Sequence, residues 1–280
     1  MKMGYKIIVD SCCELPKELK ASDKFEQIPL GLEVGAYRVE DDDNFDQALF
    51  LKKVAEYPKC PKSSCPSPER YMQAYSTEAE HVYAVTLSSH LSGSYNSAVL
   101  GRSLYHEKFG GKKIHVIDSL SASCGETQIA MKIMEMEEQG LSFENVVEKA
   151  EKFRDEMNTY FVLDNLETLR KNGRLTGVKA LVASTLNIKP VMGAEKGTIV
   201  QRAQCIGMKK GLSKMAEMVI AEIKEPQNKR LMITHCNALQ RAEVIKDMIL
   251  SKVKFKDTII MDTAGISSMY ANNGGVIVAV

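Results

Sequence analysis

Short, nearly unbroken apolar runs alternate with helix-length amphipathic stretches along the first half of the chain. Lys6-Ile7-Ile8-Val9 ends on Asp10-Ser11, and Leu15-Pro16-Lys17-Glu18-Leu19 then opens a short helix. Val82-Tyr83-Ala84-Val85-Thr86-Leu87 runs into Ser88-Ser89-His90-Leu91-Ser92-Gly93-Ser94 and a helix from Tyr95 to about Lys108. Lys113-Ile114-His115-Val116-Ile117 stops at Asp118-Ser119, ahead of a small-residue loop and a helix from about Glu126 to Gln139. Strands that are apolar throughout, each followed by a helix, are buried on both faces, which is the signature of a parallel sheet. Ligands of such sheets sit beyond the carboxyl ends of the strands, here marked by Asp-Ser, Ser-Ser and Asp-Ser. The segment Cys60–Pro68 holds three of the eight prolines, which predicts a loop and not a strand, followed by a helix from Glu69 to about Glu78.

The pattern changes after Leu141. Ser142 caps a predicted helix through about Met157, and Tyr160-Phe161-Val162-Leu163 reads as a strand before a helix at Leu166–Lys171. A helix over Thr176–Leu186 precedes an antiparallel hairpin of Ile188–Met192 and Thr198–Cys205, with its turn at Gly193–Gly197 and Pro190 indicating an edge strand. Helices at Lys209–Ile223 and Leu239–Lys252 alternate with strands at Arg230–Thr234, Thr258–Asp262 and Gly275–Val280. The predicted architecture is α/β with two domains: a parallel-sheet domain over 1–158 and a mixed-sheet domain over 159–280. At 280 residues the chain is long enough for two cores.

Composition narrows the function classes. Thirty-seven Lys+Arg against 36 Asp+Glu leave a formal charge of +1, so bulk attraction to nucleic acid or an anionic membrane is not expected. No apolar run reaches the length of a bilayer span, which points to a cytoplasmic protein without stable membrane insertion. The seven cysteines are odd in number and lack C-x-x-C spacing, as reduced thiols would be. The five histidines show no metal-ligand spacing, and no metal or cofactor is expected. G-x-G-x-x-G, Walker A, H-E-x-x-H and G-x-S-x-G signatures are missing. What remains is a wealth of loop hydroxyls, among them Ser63, Ser64, Ser88, Ser89, Ser92 and Ser94, several of them beside a predicted helix start where free N–H groups and the helix dipole favour a small anion. Taken singly, each could equally be a helix cap. Arg170-Lys171-Asn172-Gly173-Arg174 is either a cationic helix end or a surface for a partner's anionic group.

In order along nearly the whole chain, these segments resemble the DegV family of bacterial fatty acid-binding proteins, which includes the FakB lipid-carrying subunits of a fatty acid kinase. The resemblance rests on Asp10-Ser11 through Leu15-Pro16, Ser63-Ser64-x-Pro66, Leu87-Ser88-Ser89-x-Leu91-Ser92-Gly93-Ser94-Tyr95-x-Ser97-Ala98, Ile117-Asp118-Ser119, Leu166–Arg174 and Leu186-Asn187-Ile188-Lys189-Pro190. It implies a monomeric carrier, not an enzyme, that buries one long-chain fatty acid in an apolar tunnel at the domain interface and offers the carboxylate to a separate kinase. It places the carboxylate on Ser92, beside Gly93, with Ser63 where the family has threonine and Ser64 next to it. Arg174, with Arg170, would face the partner, and Asn172 replaces the first glycine of the family's Gly-Gly-Arg turn. Three departures stand out. Cys65 replaces a common glutamine, and Gln204-Cys205-Ile206 replaces a Lys-x-Arg pair, removing a cation expected beside the carboxylate. The segment Ser268–Gly275 lacks the family's His-x-Gly-Pro-Gly, leaving Tyr270 or Asn272 to donate in place of a histidine. The alternatives are a serine-dependent hydrolase or phosphotransfer enzyme, for which His90 would be the base nearest Ser92 in sequence, and a lipid-sensing regulatory module.

Overall fold

A computed structural model of the chain describes residues 4–175 and 187–280, so the helix expected at Thr176–Leu186 lies outside the described residues. In chain order the first elements are β1 (Tyr5–Asp10), α1 (Lys17–Lys20), β2 (Phe25–Ile28), β3 (Gly31–Val34), β4 (Tyr37–Glu40), α2 (Gln47–Glu56) and β5 (Lys62–Ser64). They are followed by α3 (Pro68–Ala74), β6 (His81–Thr86), α4 (Ser94–Phe109), β7 (Lys113–Asp118), α5 (Cys124–Glu138) and α6 (Phe143–Glu156). Next come β8 (Thr159–Val162), α7 (Glu167–Lys171), β9 (Val191–Glu195), β10 (Thr198–Ala203) and α8 (Met208–Glu222). The chain closes with β11 (Arg230–His235), α9 (Leu239–Leu250), β12 (Asp257–Asp262), α10 (Gly265–Ala271) and β13 (Val276–Ala279).

The first sheet is parallel throughout, in the order β2-β1-β6-β7. Its apolar runs are explained by strand alternation: Ile7, Val9, Tyr83, Val85 and Ile117 pack under α5 and α6, while Ile8, Val82, Ala84, Ile114 and Val116 pack under α3 and α4. The second sheet is mixed, in the order β10-β9-β8-β13-β11-β12, parallel only between β11 and β12. One face is covered by α8 and α9 through Leu212, Met215, Val219, Ala242, Ile245 and Ile249. Its other face meets α5, where Cys124 and Met131 touch Met232 and Ala279. Because α5 also packs on the parallel sheet through Ile129, Ala130 and Ile133, it is buried nearly all round, which its short stretch of surface charge alone does not announce.

Four expectations are corrected. The proline-rich segment contains a strand, β5, which pairs with β3 in a small β4-β3-β5 sheet; its prolines flank Lys62–Ser64 and so cost no ladder hydrogen bond. Pro190 does not mark an edge: β9 lies between β10 and β8, and Pro190 precedes the strand. The hairpin turn is tighter than the glycines suggest, with Lys196 (φ 47°) and Gly197 (φ 81°) at its tip. Gly193 is instead inside the ladder, where a Cβ would stand 3.2 Å from the Thr159 carbonyl and 3.0 Å from Arg202. The helix after Ser67 stops at Ala74, and β2, β3, β4, α2 and α10 come from segments for which the pattern predicts no element.

Candidate functional site

Asp10 and Asp118, the acids at the carboxyl ends of β1 and β7, organise the loops there. Asp10 accepts the N–H groups of Leu87 and Cys12, both at 3.1 Å, and Asp118 accepts those of Ser89 and Leu120, both at 3.1 Å. Ser11 and Ser119 do the same work, accepting the N–H of Leu30 and Ser121. The Asp-Ser pairs therefore bind the protein's own backbone. Beyond the loops they shape lies a narrow cavity lined almost wholly by apolar side chains.

Its walls come from the loops beyond the parallel sheet, through Leu30, Leu87, Leu91 and Ala122, from the mixed sheet and its flank, through Phe161, Leu163, Ala194, Ile199 and Ile277, from Ser63 of the small sheet, and from Ile266 and Ala271 of α10. Apart from Ser267, which lies 3.8 Å from the Cys12 thiol, the polar side chains fall into two sets. Ser121 and Thr159 bond each other at 2.7 Å, and Ser123 bonds Glu14 and Thr234 at 2.7 Å, so these hydroxyls are satisfied within the protein. The other set is Ser63, Ser92, Tyr270 and Arg174. The Ser63 hydroxyl is 3.2 Å from the Tyr270 hydroxyl, and the Arg174 guanidinium lies over the Tyr270 ring at 5.7 Å. Arg174 is steered there by donating Nε–H to the Leu91 carbonyl at 3.1 Å and an NH1 hydrogen to Asn172. Ser92 follows Leu91 and accepts the Ser94 N–H at 3.2 Å. Burial raises the Tyr270 phenol above its ordinary range, with Ser63 and Arg174 pulling the other way, so it is a neutral donor.

The cavity thus brings together Ser63, Ser92, Tyr270 and Arg174, and leaves out four other residues singled out from the sequence. Strand alternation turns Ser64 to the far side of β5, where it is exposed. Gly93 is the exposed residue preceding α4, its backbone against Cys65. Asn272 borders a separate surface depression with Cys60 and Lys171 and donates to the Tyr270 carbonyl at 3.1 Å. Arg170 is held in a two-pronged pair by Glu167 at 2.9 and 2.8 Å. Arg174 lines the cavity itself, and so supplies a cation that the missing Lys-x-Arg pair would otherwise withhold. None of the hydrogen bonds of the described residues joins His90 to Ser92; the His90 ring sits against the turn at Gly197. No group of three His, Cys, Asp or Glu side chains among the described residues is arranged around a metal position.

Comparison with known proteins decides the family. The family model described as "Uncharacterised protein, DegV family" matches residues 5–280. The chain belongs to the DegV family. A DegV domain-containing protein of Streptococcus pyogenes serotype M1 is 34% identical over 280 residues, with 98% of each chain covered. A DegV family crystal structure from Ruminococcus gnavus, refined with vaccenic acid, is 52% identical with a TM-score of 0.97, covering 99% of this chain and 100% of that one. The fatty acid kinase (Fak) B3 protein of Streptococcus pneumoniae, loaded with linoleic acid, is 31% identical with a TM-score of 0.89, covering 99% of both. No helix among the described residues of this DegV protein is long and apolar enough to cross a membrane.

Two structural consequences can be measured. Sequence patterning misses α10, yet it carries Ile266, Tyr270 and Ala271 to the cavity, and it is clasped by a carboxylate: Asp41 accepts the Gly265 N–H at 2.6 Å and the Ile266 N–H at 2.8 Å. A Cβ on Gly265 would stand 2.6 Å from both Asp41 Oδ1 and the Leu32 side chain. Gly265→Ala is expected to cost about 2 kcal/mol in denaturant unfolding, through overpacking and a loosened clasp. Second, burial pushes Asp10 up to about 7 from 3.8 and Glu14 up to about 7 from 4.5. Between those limits the folded chain holds protons that the unfolded chain has released, so stability falls as pH rises from about 5 to about 7. The melting temperature is expected to decline across that interval and level off above it; a rise would contradict the burial argument.

Proposed function

We propose that this DegV protein is a carrier that holds one long-chain fatty acid in the cavity and presents its carboxylate for phosphorylation by a separate fatty acid kinase. The observation that carries the reading is an almost wholly apolar cavity with one group of hydroxyl, phenol and guanidinium side chains, Ser63, Ser92, Tyr270 and Arg174, in its lining. Burying about 15 methylenes at about 0.8 kcal/mol each would yield about 12 kcal/mol before the costs of ordering chain and protein. The tail supplies affinity, while two hydroxyls, a phenol and a guanidinium orient the head by charge-assisted hydrogen bonds. Fatty acids bound to the Ruminococcus and Streptococcus pneumoniae relatives support the ligand class, and the name of the latter supports a kinase partner. The cavity is taken to lie where the units 1–158 and 159–280 meet, with the exposed Arg170 on the rim offered to that partner.

The hydrolase alternative needs a base on Ser92, and His90 is not engaged with it. Mass spectrometry of lipid extracted from the purified protein tests the proposal directly: the expected result is one long-chain fatty acid per chain, the ligand class bound by the Ruminococcus and Streptococcus pneumoniae relatives. Ser92→Ala is expected to lower occupancy about tenfold, the worth of one charge-assisted hydrogen bond. Unchanged occupancy would remove Ser92 from the head site, and a protein that retains no lipid and takes none up would defeat the carrier reading.

A further inference from the structure

A second polar spot lies on the cavity wall, apart from Ser63, Ser92, Tyr270 and Arg174. Strand alternation along β8 sends Tyr160 and Val162 into the core beneath α8 and α9, and leaves Thr159 and Phe161 facing the cavity. Phe161 stands opposite Ile277 of β13, so this stretch of wall is apolar except at Thr159. Leu163, four residues further on, belongs to the apolar cluster against which Tyr270 packs. Four residues of extended chain span about 13 Å, which puts Thr159 well along the tail and away from the head. Ser121 meets it from the loop before α5, where left-handed backbone at Leu120 (φ 51°) and Ser123 (φ 58°) bends the chain. The Ser121 N–H donates to the Ser119 hydroxyl at 3.1 Å, and its carbonyl accepts the Ser88 N–H at 2.8 Å and the Ser119 hydroxyl at 3.1 Å. Its backbone is thereby fixed. The Ser121 and Thr159 hydroxyls are 2.7 Å apart, and both residues are buried in the cavity lining.

Room for the pair is made by α5. A Cβ on Gly125 would collide with the Ser121 hydroxyl and stand 2.9 Å from that of Thr159. Glycine is a poor helix residue, and here the close approach of two hydroxyls requires it. Each oxygen is satisfied by the other, yet two hydroxyls bring two hydrogens and their mutual bond uses one. Neither side chain makes another hydrogen bond among the described residues, so the pair holds one hydrogen and several lone pairs in reserve. We infer that the cavity accepts acyl chains bearing an oxygen, a hydroxyl or a ketone, partway along, and that this oxygen bonds the Ser121–Thr159 pair. The inference rests on the fatty-acid reading above and narrows it to a substrate class. An oxygen placed elsewhere along the tube gives up its water and gains nothing, whereas at the pair it finds a donor, and a chain hydroxyl finds an acceptor as well. Because the two hydroxyls already partner each other, a plain chain leaves neither orphaned and is accepted too. Discrimination therefore falls on the position of the oxygen.

The test is competition binding of octadecanoic acid and of a series of hydroxyoctadecanoic acids whose hydroxyl is stepped along the chain. One isomer, or two adjacent ones, is expected to bind at least as tightly as octadecanoic acid, and the rest about tenfold more weakly. The double variant Ser121→Ala, Thr159→Val removes both partners together and leaves no orphaned hydroxyl. It is expected to bring the favoured isomer down about tenfold, to the level of the others, while octadecanoic acid changes less than threefold. A penalty equal at every position in the wild type overturns the inference, as does a favoured isomer that keeps its advantage in the double variant. Where that variant does not fold, a crystal structure of the wild type with the favoured isomer decides: its oxygen within hydrogen-bonding distance of Ser121 or Thr159 supports the site, and an oxygen held elsewhere overturns it. Failure of octadecanoic acid and of every isomer to bind overturns the fatty-acid reading and this one with it. Binding of octadecanoic acid without a favoured isomer overturns this one alone.

Discussion

Ala194→Phe is expected to empty the cavity of lipid while leaving the fold in place. Ala194 lies on β9, whose alternation sends Val191 into the core beneath α8 and Met192 and Ala194 to the opposite face, toward the cavity. The residue is only half-buried and lines the cavity, so the ring can enter the cavity and the overpacking penalty of a filled core does not apply. The space it takes is space that hydrocarbon needs. Displacing about four methylenes at about 0.8 kcal/mol each removes about 3 kcal/mol, or about 200-fold in affinity. Lipid content by mass spectrometry, read beside a circular dichroism melt, checks it. Full occupancy by a chain of the same length would show that the tail lies elsewhere.

Arg174→Met should separate head recognition from tail burial. The arginine is the one cation lining the cavity among the described residues, and its guanidinium is positioned by the Leu91 and Asn172 carbonyls over the Tyr270 ring. Methionine keeps much of the apolar stem and removes the charge. A hydrogen bond to a charged group contributes about 1.5–3 kcal/mol, so fatty acid affinity should fall about 10- to 150-fold, while that of the matching alcohol should change less than threefold. Competition against a fluorescent fatty acid reads both. Arg174→Lys should restore only part of the loss, because a point charge does not reproduce the two-pronged guanidinium. Equal losses for acid and alcohol would mean that Arg174 supports the wall and not the head.

Local patterning carries much of the fold, for identifiable reasons. The runs at Lys6–Val9, Val82–Leu87 and Lys113–Ile117 are buried on both faces, and a strand in that position has little room for polar residues, so each stands out from its polar flanks. Phe25-Glu26-Gln27-Ile28 is buried only at its ends, too short and mixed for the same signal, and it is recruited by β1 beside it. The α10 sequence, Gly-Ile-Ser-Ser-Met-Tyr-Ala, is a poor helix by propensity; it forms because Asp41 takes up its first N–H groups and Gln47 bonds Thr263 and Ser268. No local reading of residues 265–271 contains those partners, which lie more than two hundred positions away.

The same division holds for the site. Motif order pointed to Ser63, Ser92 and Arg174, because those segments have to present hydroxyls and a cation at loop ends whatever the rest of the chain does. The meeting of Ser63 with Tyr270, across 207 positions, and the turning away of Ser64 depend on β5 adding to β3 and on which face of that strand is inward. The sequence alone determined the α/β class and the strand-end loops, since these follow from local periodicity and from residues adjacent in the chain, and the order of its motifs carried the resemblance to the family. Only the tertiary structure decided that Asp10 and Asp118 hold backbone N–H groups of neighbouring loops and that Arg174 turns into the cavity. Such facts depend on distance and desolvation, which arise when segments remote in sequence exclude water together.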